Sequence, residues 1–225
     1  MTEQSMEQAT APRFAKTTVG GFLGELASAA PTPGGGAAAA LVGALGAGLV
    51  SMVCHLTVGR PRYAEVEAEI QDVLAQSEAA GQRLTALADA DAAAFTVVSA
   101  AYRLPKSTAD ERAVRAEAIE RALIRAAEPP LAVMRECRAL IPLCLKVAAR
   151  GNATVVSDAG VAVELAAAGL RSSILNVTVN LAQIKDAVFV AQGEASIQAA
   201  EAGLRDEIDR TIGIVRAKLA PRGKP

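Results

Sequence analysis

The sequence predicts an all-α protein, a single domain of long antiparallel helices. Apolar residues recur at helical spacing along nearly the whole chain, and no segment alternates convincingly as a strand does. Hydrophobic residues make up 52% of the 225 residues but aromatics only 3%, with no Trp. Alanine supplies much of the apolar total, so the core must come from closely approached helices rather than stacked rings. Glycine and proline clusters fall between long periodic segments, where helices are expected to break.

The elements follow in order. Thr17–Ala29 reads as a short first helix. Pro31-Thr32-Pro33-Gly34-Gly35-Gly36 is a loop in which prolines fix φ and glycines free it. Ala37–Thr57 is a second helix, broken by Gly59-Arg60-Pro61. Arg62 to about Ala101 forms a third helix, ~60 Å long if straight. After Leu104-Pro105-Lys106, Thr108-Ala109-Asp110-Glu111 is a capping box that starts a fourth. Pro129-Pro130 and Pro142 are expected to kink or divide it before Gly151-Asn152. Ser157-Asp158 caps a helix that reaches about Ile184, and a last helix runs from about Asp186 to Leu219. The domain is therefore expected over 17–219, between a mobile tail at 1–16 and a loose end at 220–225.

Composition excludes several classes of function. The net charge is -1 with both signs interspersed, which argues against an electrostatically driven nucleic-acid binder. Two Tyr and four Phe leave few platforms on which bases could stack. Three Cys without a CxxC pair and a single His, His55, give neither a disulfide framework nor an ordinary zinc site. A reducing, cytoplasmic compartment is expected. The first sixteen residues lack the apolar stretch of a signal peptide. Ala37–Val58 is an uncharged run long enough to span a bilayer, and no second run of the kind is expected in the chain. Its weakly hydrophobic Ala and Gly content favours a buried helix of a soluble protein, so no membrane partner is expected.

Polar residues on apolar faces mark the candidate site. In the third helix an apolar stripe runs through Val66, Ile70, Val73, Leu84, Leu87, Phe95, Val98 and Tyr102. Asp91 falls on that stripe, while Asp89 faces elsewhere. A carboxylate on a buried face is costly unless paired, and burial raises its pKa toward the range of general acid-base work. The bland alternative is a structural Asp satisfied by a helix end or an Arg. Within the helix starting near Asp158, Gly169, Ser172, Ser173, Asn176, Asn180 and Gln183 occupy one arc of about 100°. Buried amides such as Asn176 and Asn180 need partners, either a neighbouring helix or a ligand rich in N–H and C=O groups. The second helix carries a stripe of small residues ending at His55, which is either a proton carrier or a simple hydrogen-bond donor to a carbonyl. The glycines Gly34, Gly35 and Gly36 lead into a helix N-terminus, which can hold an anion or serve only as a tight connection. Arg60, Arg62, Arg103 and Lys106 flank the two helix breaks and offer a basic rim, unless they are merely solvated.

The stretch FLGELASAAPTPGGGAAAALVGALGAGLVSMVCHLTVGR, at Phe22–Arg60, resembles the signature of the cyclodeaminase/cyclohydrolase family. This is the family of the C-terminal domain of formiminotransferase-cyclodeaminase, and it includes stand-alone methenyltetrahydrofolate cyclohydrolases. Further matches are Asp89-Ala90-Asp91-Ala92, Ala94-Phe95, Tyr102-Arg103-Leu104-Pro105-Lys106, Asn152, Ser157-Asp158-Ala159-Gly160, and Arg171 through Asn176-Val177 to Asn180-Leu181. The resemblance spans about Thr17 to Phe189. His55 departs from it, since relatives often have Asn before Leu-Thr.

The resemblance implies an all-α fold, commonly dimeric, acting on one-carbon forms of tetrahydrofolate. Its stand-alone members imply reversible hydrolysis of 5,10-methenyltetrahydrofolate to 10-formyltetrahydrofolate. The alternatives are ammonia release from the formimino compound, or folate binding without turnover. No metal or cofactor is expected, because the methenyl carbon is already electrophilic. Asp91 is the expected base, with Asp158 as a competing carboxylate. Asn176 and Asn180 are expected to hold the pterin edge or the attacked carbon's oxygen. Pro33, Gly34, Gly35, Gly36, His55, Arg60, Lys106 and Ser172 complete the expected substrate contacts.

Overall fold

Seven α-helices carry the chain in the computed structural model, which describes residues 13–220. Helix α1, Val19–Leu26, opens where the Thr18 side chain accepts the Gly21 N–H. Helix α2, Gly35–His55, follows Gly34, which brings no capping side chain. A 3-10 turn over Pro61–Val66 leads into α3, Glu67–Tyr102. Helix α4, Ala109–Arg150, begins with the expected capping box: Thr108 Oγ1 accepts the Glu111 N–H, and Glu111 accepts the Thr108 N–H. Helices α5, Val156–Leu181, α6, Ala187–Glu201, and α7, Leu204–Leu219, complete the fold.

Helices α2 to α5 alternate in direction and close a ring in which α5 returns onto α2. The register is read from close contacts. Ser51 of α2 bonds Ser77 of α3, and farther up the pair the Ala37 N–H donates to Asp91. Gly46 of α2 packs on the backbone of Ala162 and Ala166, whereas Gly35 sits beside Asn176. Small residues make this approach possible: a Cβ on Gly169 would stand 3.1 Å from the Ala39 carbonyl oxygen and 3.2 Å from Gly43 N. The ring interior is aliphatic, with Ile70, Leu84, Met134, Leu140, Ile141 and Leu170 fully buried. Cys54, Cys137 and Cys144 are free, buried thiols whose pKa values burial pushes up to about 12. Helix α7 docks across α4 and α5, and Lys218 Nζ donates to the Ala148 and Ala149 carbonyls at the end of α4.

Several boundaries differ from those read in the sequence. Pro129, Pro130 and Pro142 lie inside α4, which runs unbroken to Arg150. Proline removes one N–H and frees one carbonyl, and a neighbouring side chain supplies a donor for at least one of them, as described below. The expected last helix is two helices. Gly203 adopts a left-handed conformation at φ 68° and turns the chain between α6 and α7. Ser157 and Asp158 lie within the first turn of α5, and it is Asn152 that accepts the Thr154 N–H just upstream. Phe14 is not part of a loose tail: it is buried and meets Phe22 edge-on at 5.3 Å. The expectations for residues 1–12 and 221–225 lie outside the described residues. Ala37–Val58 is also not alone in its apolar length, because Pro61–Tyr102 and Ala153–Leu181 are likewise long and apolar enough to cross a membrane.

Asn152 ties two connections together. Its Nδ2 donates to the Leu56 carbonyl, its backbone N–H to Thr57 Oγ1, and its Oδ1 accepts from Thr154. The side chain is buried, so losing it strands the Leu56 carbonyl and the Thr154 donors. Asn152→Ala is expected to lower unfolding free energy by about 1–3 kcal/mol in urea denaturation.

Candidate active site

Helix lengths create the site. Helix α2 has 21 residues and α3 has 36, or about 32 and 54 Å. Because Ala37 pairs with Asp91, the last turns of α3 run past the start of α2. Helix α5 does the same beyond Asn176, which lies beside Gly35. The place in the ring that α2 leaves empty is a cavity of about 660 Å³. Its floor is the N-terminus of α2, and its walls come from α3, α4 and α5 together with Pro31, Thr32 and Gly34.

Asp91 stands on that floor. Its Oδ2 accepts the Ala37 N–H at 3.1 Å, so it caps a helix that has no cap of its own. The positive end of α2 faces the carboxylate. Burial nonetheless raises the Asp91 pKa above its ordinary 3.8, and the Ala37 N–H only partly opposes that. A Cβ on Gly36 would overlap the Asp91 carboxylate. Glycine is therefore required here by close approach.

Asn176 completes the floor. Its Nδ2 donates to the Ser172 carbonyl at 2.9 Å, and its Oδ1 lies toward Gly35. One turn on, Asn180 Nδ2 donates to the Ala126 carbonyl at 3.1 Å. Pro130 lies four residues after Ala126 and has no N–H to give it, so Asn180 replaces the helical bond that proline removes. Its Oδ1 is what Asn180 can offer a ligand. Asn180→Ala is expected to cost about 1–3 kcal/mol of stability. In a Pro130→Ala background the restored N–H serves Ala126, so the same change should cost much less in a double-mutant cycle.

Higher in the cavity, Phe95, Val98, Ser99 and Tyr102 of α3, with Arg103 just past its end, face Leu123, Ala126, Val179 and Gln183. Tyr102 Oη donates to Gln183 Oε1 at 3.3 Å. Phe95 and Tyr102 are each 44% exposed, so this end of the apolar stripe lines the cavity rather than the core. Periodicity had put them on the correct face, but it carries no information about the missing helix opposite.

The other expected contacts lie apart from this cavity. His55 is at the far end of α2, about 30 Å from Gly35, and pairs with Glu78 at 3.0 Å near the surface. Arg60 lies beyond that same end. Lys106 is exposed in the α3–α4 connection, where its carbonyl accepts from Arg112. Asp158 is in the first turn of α5, about 27 Å along the helix from Asn176. Ser172 contributes its carbonyl to Asn176 and does not itself line the cavity. Pro33 is buried beneath the rim, with Thr32 and Gly34 on the lining.

The sequence and the fold that holds this cavity both match a known helical family. The formiminotransferase-cyclodeaminase family model matches residues 18–199, and the chain belongs to that family. Within it, the chain is 50% identical over 204 residues to the methenyltetrahydrofolate cyclohydrolase of Methylorubrum extorquens, covering 90% of this chain and 97% of that one. It is 37% identical over 173 residues to the formimidoyltransferase-cyclodeaminase of Mus musculus, covering 77% of this chain and 32% of that longer protein. The crystal structure of formiminotetrahydrofolate cyclodeaminase from Thermotoga maritima aligns with a TM-score of 0.82 at 29% identity, over 92% of this chain and 100% of that one.

Proposed function

We propose that the protein is a methenyltetrahydrofolate cyclohydrolase, interconverting 5,10-methenyltetrahydrofolate and 10-formyltetrahydrofolate. The observation that carries this is the Asp91 carboxylate, half-buried on the cavity floor against the start of α2. The 50% identity over nearly all of both chains favours this activity over ammonia release.

The chemistry needs little. The methenyl carbon bridges two nitrogens as a cationic amidinium and is attacked by water directly, so the reading invokes no metal or organic cofactor. An ionised Asp91 offsets the substrate's charge and accepts a proton from the attacking water. A neutral tetrahedral adduct results. Asp91 then returns that proton to N5 as the N5–C bond breaks. The adduct's hydroxyl proton leaves to solvent, which accounts for the one proton the reaction releases. Asn176 and the first N–H groups of α2 border the place where the new oxygen develops. Asn180 Oδ1 is an acceptor for N–H groups along the pterin edge.

The test follows loss of methenyltetrahydrofolate absorbance above the spontaneous rate, beside ammonia release from the formimino compound. Catalysed decay without ammonia supports the cyclohydrolase. Ammonia release would transfer the same site to the cyclodeaminase reaction, and silence in both would leave a folate-binding protein.

The working form is proposed to be a cytoplasmic homodimer, with neither membrane nor nucleic acid as a partner. Leu45 and Met52 of α2 and Val161 and Leu175 of α5 are exposed on adjacent helices, an apolar face suited to a second copy. Light scattering that gives a monomer at micromolar concentration would remove the dimer. Partition into detergent rather than buffer would remove the soluble reading.

A further inference from the structure

We infer that Arg103 anchors the carboxylates of the substrate's glutamate tail at the mouth of the cavity. This rests on the folate reading of the site. The cavity is polarised along α3. Asp91 marks its floor, Phe95 and Val98 line its middle, and Tyr102 and Arg103 stand at its outer end. Twelve residues separate Asp91 from Arg103, about 18 Å along the helix axis. Helical side chains lean back toward the N-terminus, so the distance between the two charges is shorter than that. A reduced folate has the same order of groups: a cationic carbon, then an aromatic ring and amide, then a dicarboxylate on the order of 10 Å away by ordinary bond lengths.

The surroundings of Arg103 fit this task. Its guanidinium makes no ion pair among the described residues, although it borders the cavity. Tyr102 beside it is fixed from two sides. Its hydroxyl donates to Gln183, and Arg115 lies over its ring at 5.6 Å while donating to its carbonyl at 3.1 Å. The ring is thus a rigid wall beside a cation that can bind a carboxylate through two N–H groups. Of the basic rim expected from Arg60, Arg62, Arg103 and Lys106, only Arg103 lines the cavity.

The test compares binding of 5-formyltetrahydrofolate with that of its counterpart lacking glutamate, by calorimetry. The wild-type protein should prefer the glutamylated compound by about 10–100-fold. Arg103→Gln should abolish that preference while leaving affinity for the truncated compound unchanged. A preference that survives in the variant overturns the assignment. So does an equal loss of affinity for both compounds, which would mean that Arg103 only shapes the cavity. If the wild-type protein binds neither compound, the folate reading itself falls and this inference falls with it. If it binds both equally, the folate reading stands and the inference alone is wrong.

Discussion

Replacing Asp91 with Asn should lower kcat for methenyltetrahydrofolate hydrolysis by about 10²–10⁴-fold, the usual contribution of a positioned general base. The fold should survive, because an Asn oxygen can still accept the Ala37 N–H. The pH dependence has a definite sign. Burial raises the folded pKa of Asp91 above its ordinary 3.8. The stability linked to this group is therefore fully present below the ordinary value and is lost as pH rises through the folded one. At neutral pH the ionised side chain weakens the native state, so the Asn variant should be at least as stable and less sensitive to pH between those values. The wild-type kcat/KM should fall on the acid side with a limb lying above 3.8, where Asp91 takes up its proton. That limb should be missing from the residual activity of the variant. Near-normal turnover in a folded Asn variant would remove Asp91 from the base role.

Gly36→Ala should be nearly as damaging, although it deletes no chemical group. The new methyl would occupy the position of the Asp91 carboxylate, which must swing away from its place against the start of α2. A shift of about 1 Å in a catalytic group costs on the order of 10²-fold in rate. Overpacking adds about 1–3 kcal/mol of destabilisation, readable in urea. Gly24→Ala in α1 is the control, since nothing lies within 4 Å of its added Cβ. It should leave turnover intact. A fully active Gly36→Ala would mean that Asp91 reaches its working position by another route.

Much of this architecture could be read from residue order. The capping box at Thr108 set the start of α4. The azimuth of Asp91 distinguished it from Asp89, which the structure places against the backbone N–H of Phe14. Asn176 was legible as a polar side chain on a largely apolar helix, and the structure sets it, half-buried, on the cavity lining. Other features depend on contacts between distant segments. Nothing local to Pro130 announces that Asn180, fifty residues later, supplies the missing donor. His55 sits on the same small-residue stripe as Ala37, but a stripe has two ends, and only the partner helices say which end holds the site. Gly203 resembled any isolated glycine in a helical pattern until its φ showed a turn.

The way the ring closes has a consequence for folding. The floor joins Gly36 of the first ring helix, Asp91 of the second and Asn176 of the fourth, so no partly assembled chain possesses it. A ligand on that floor therefore binds only the fully docked bundle and stabilises all four helices at once, by an amount that grows with the logarithm of its concentration. Raising the concentration of such a ligand should therefore slow proteolysis along the whole bundle, not only next to the cavity.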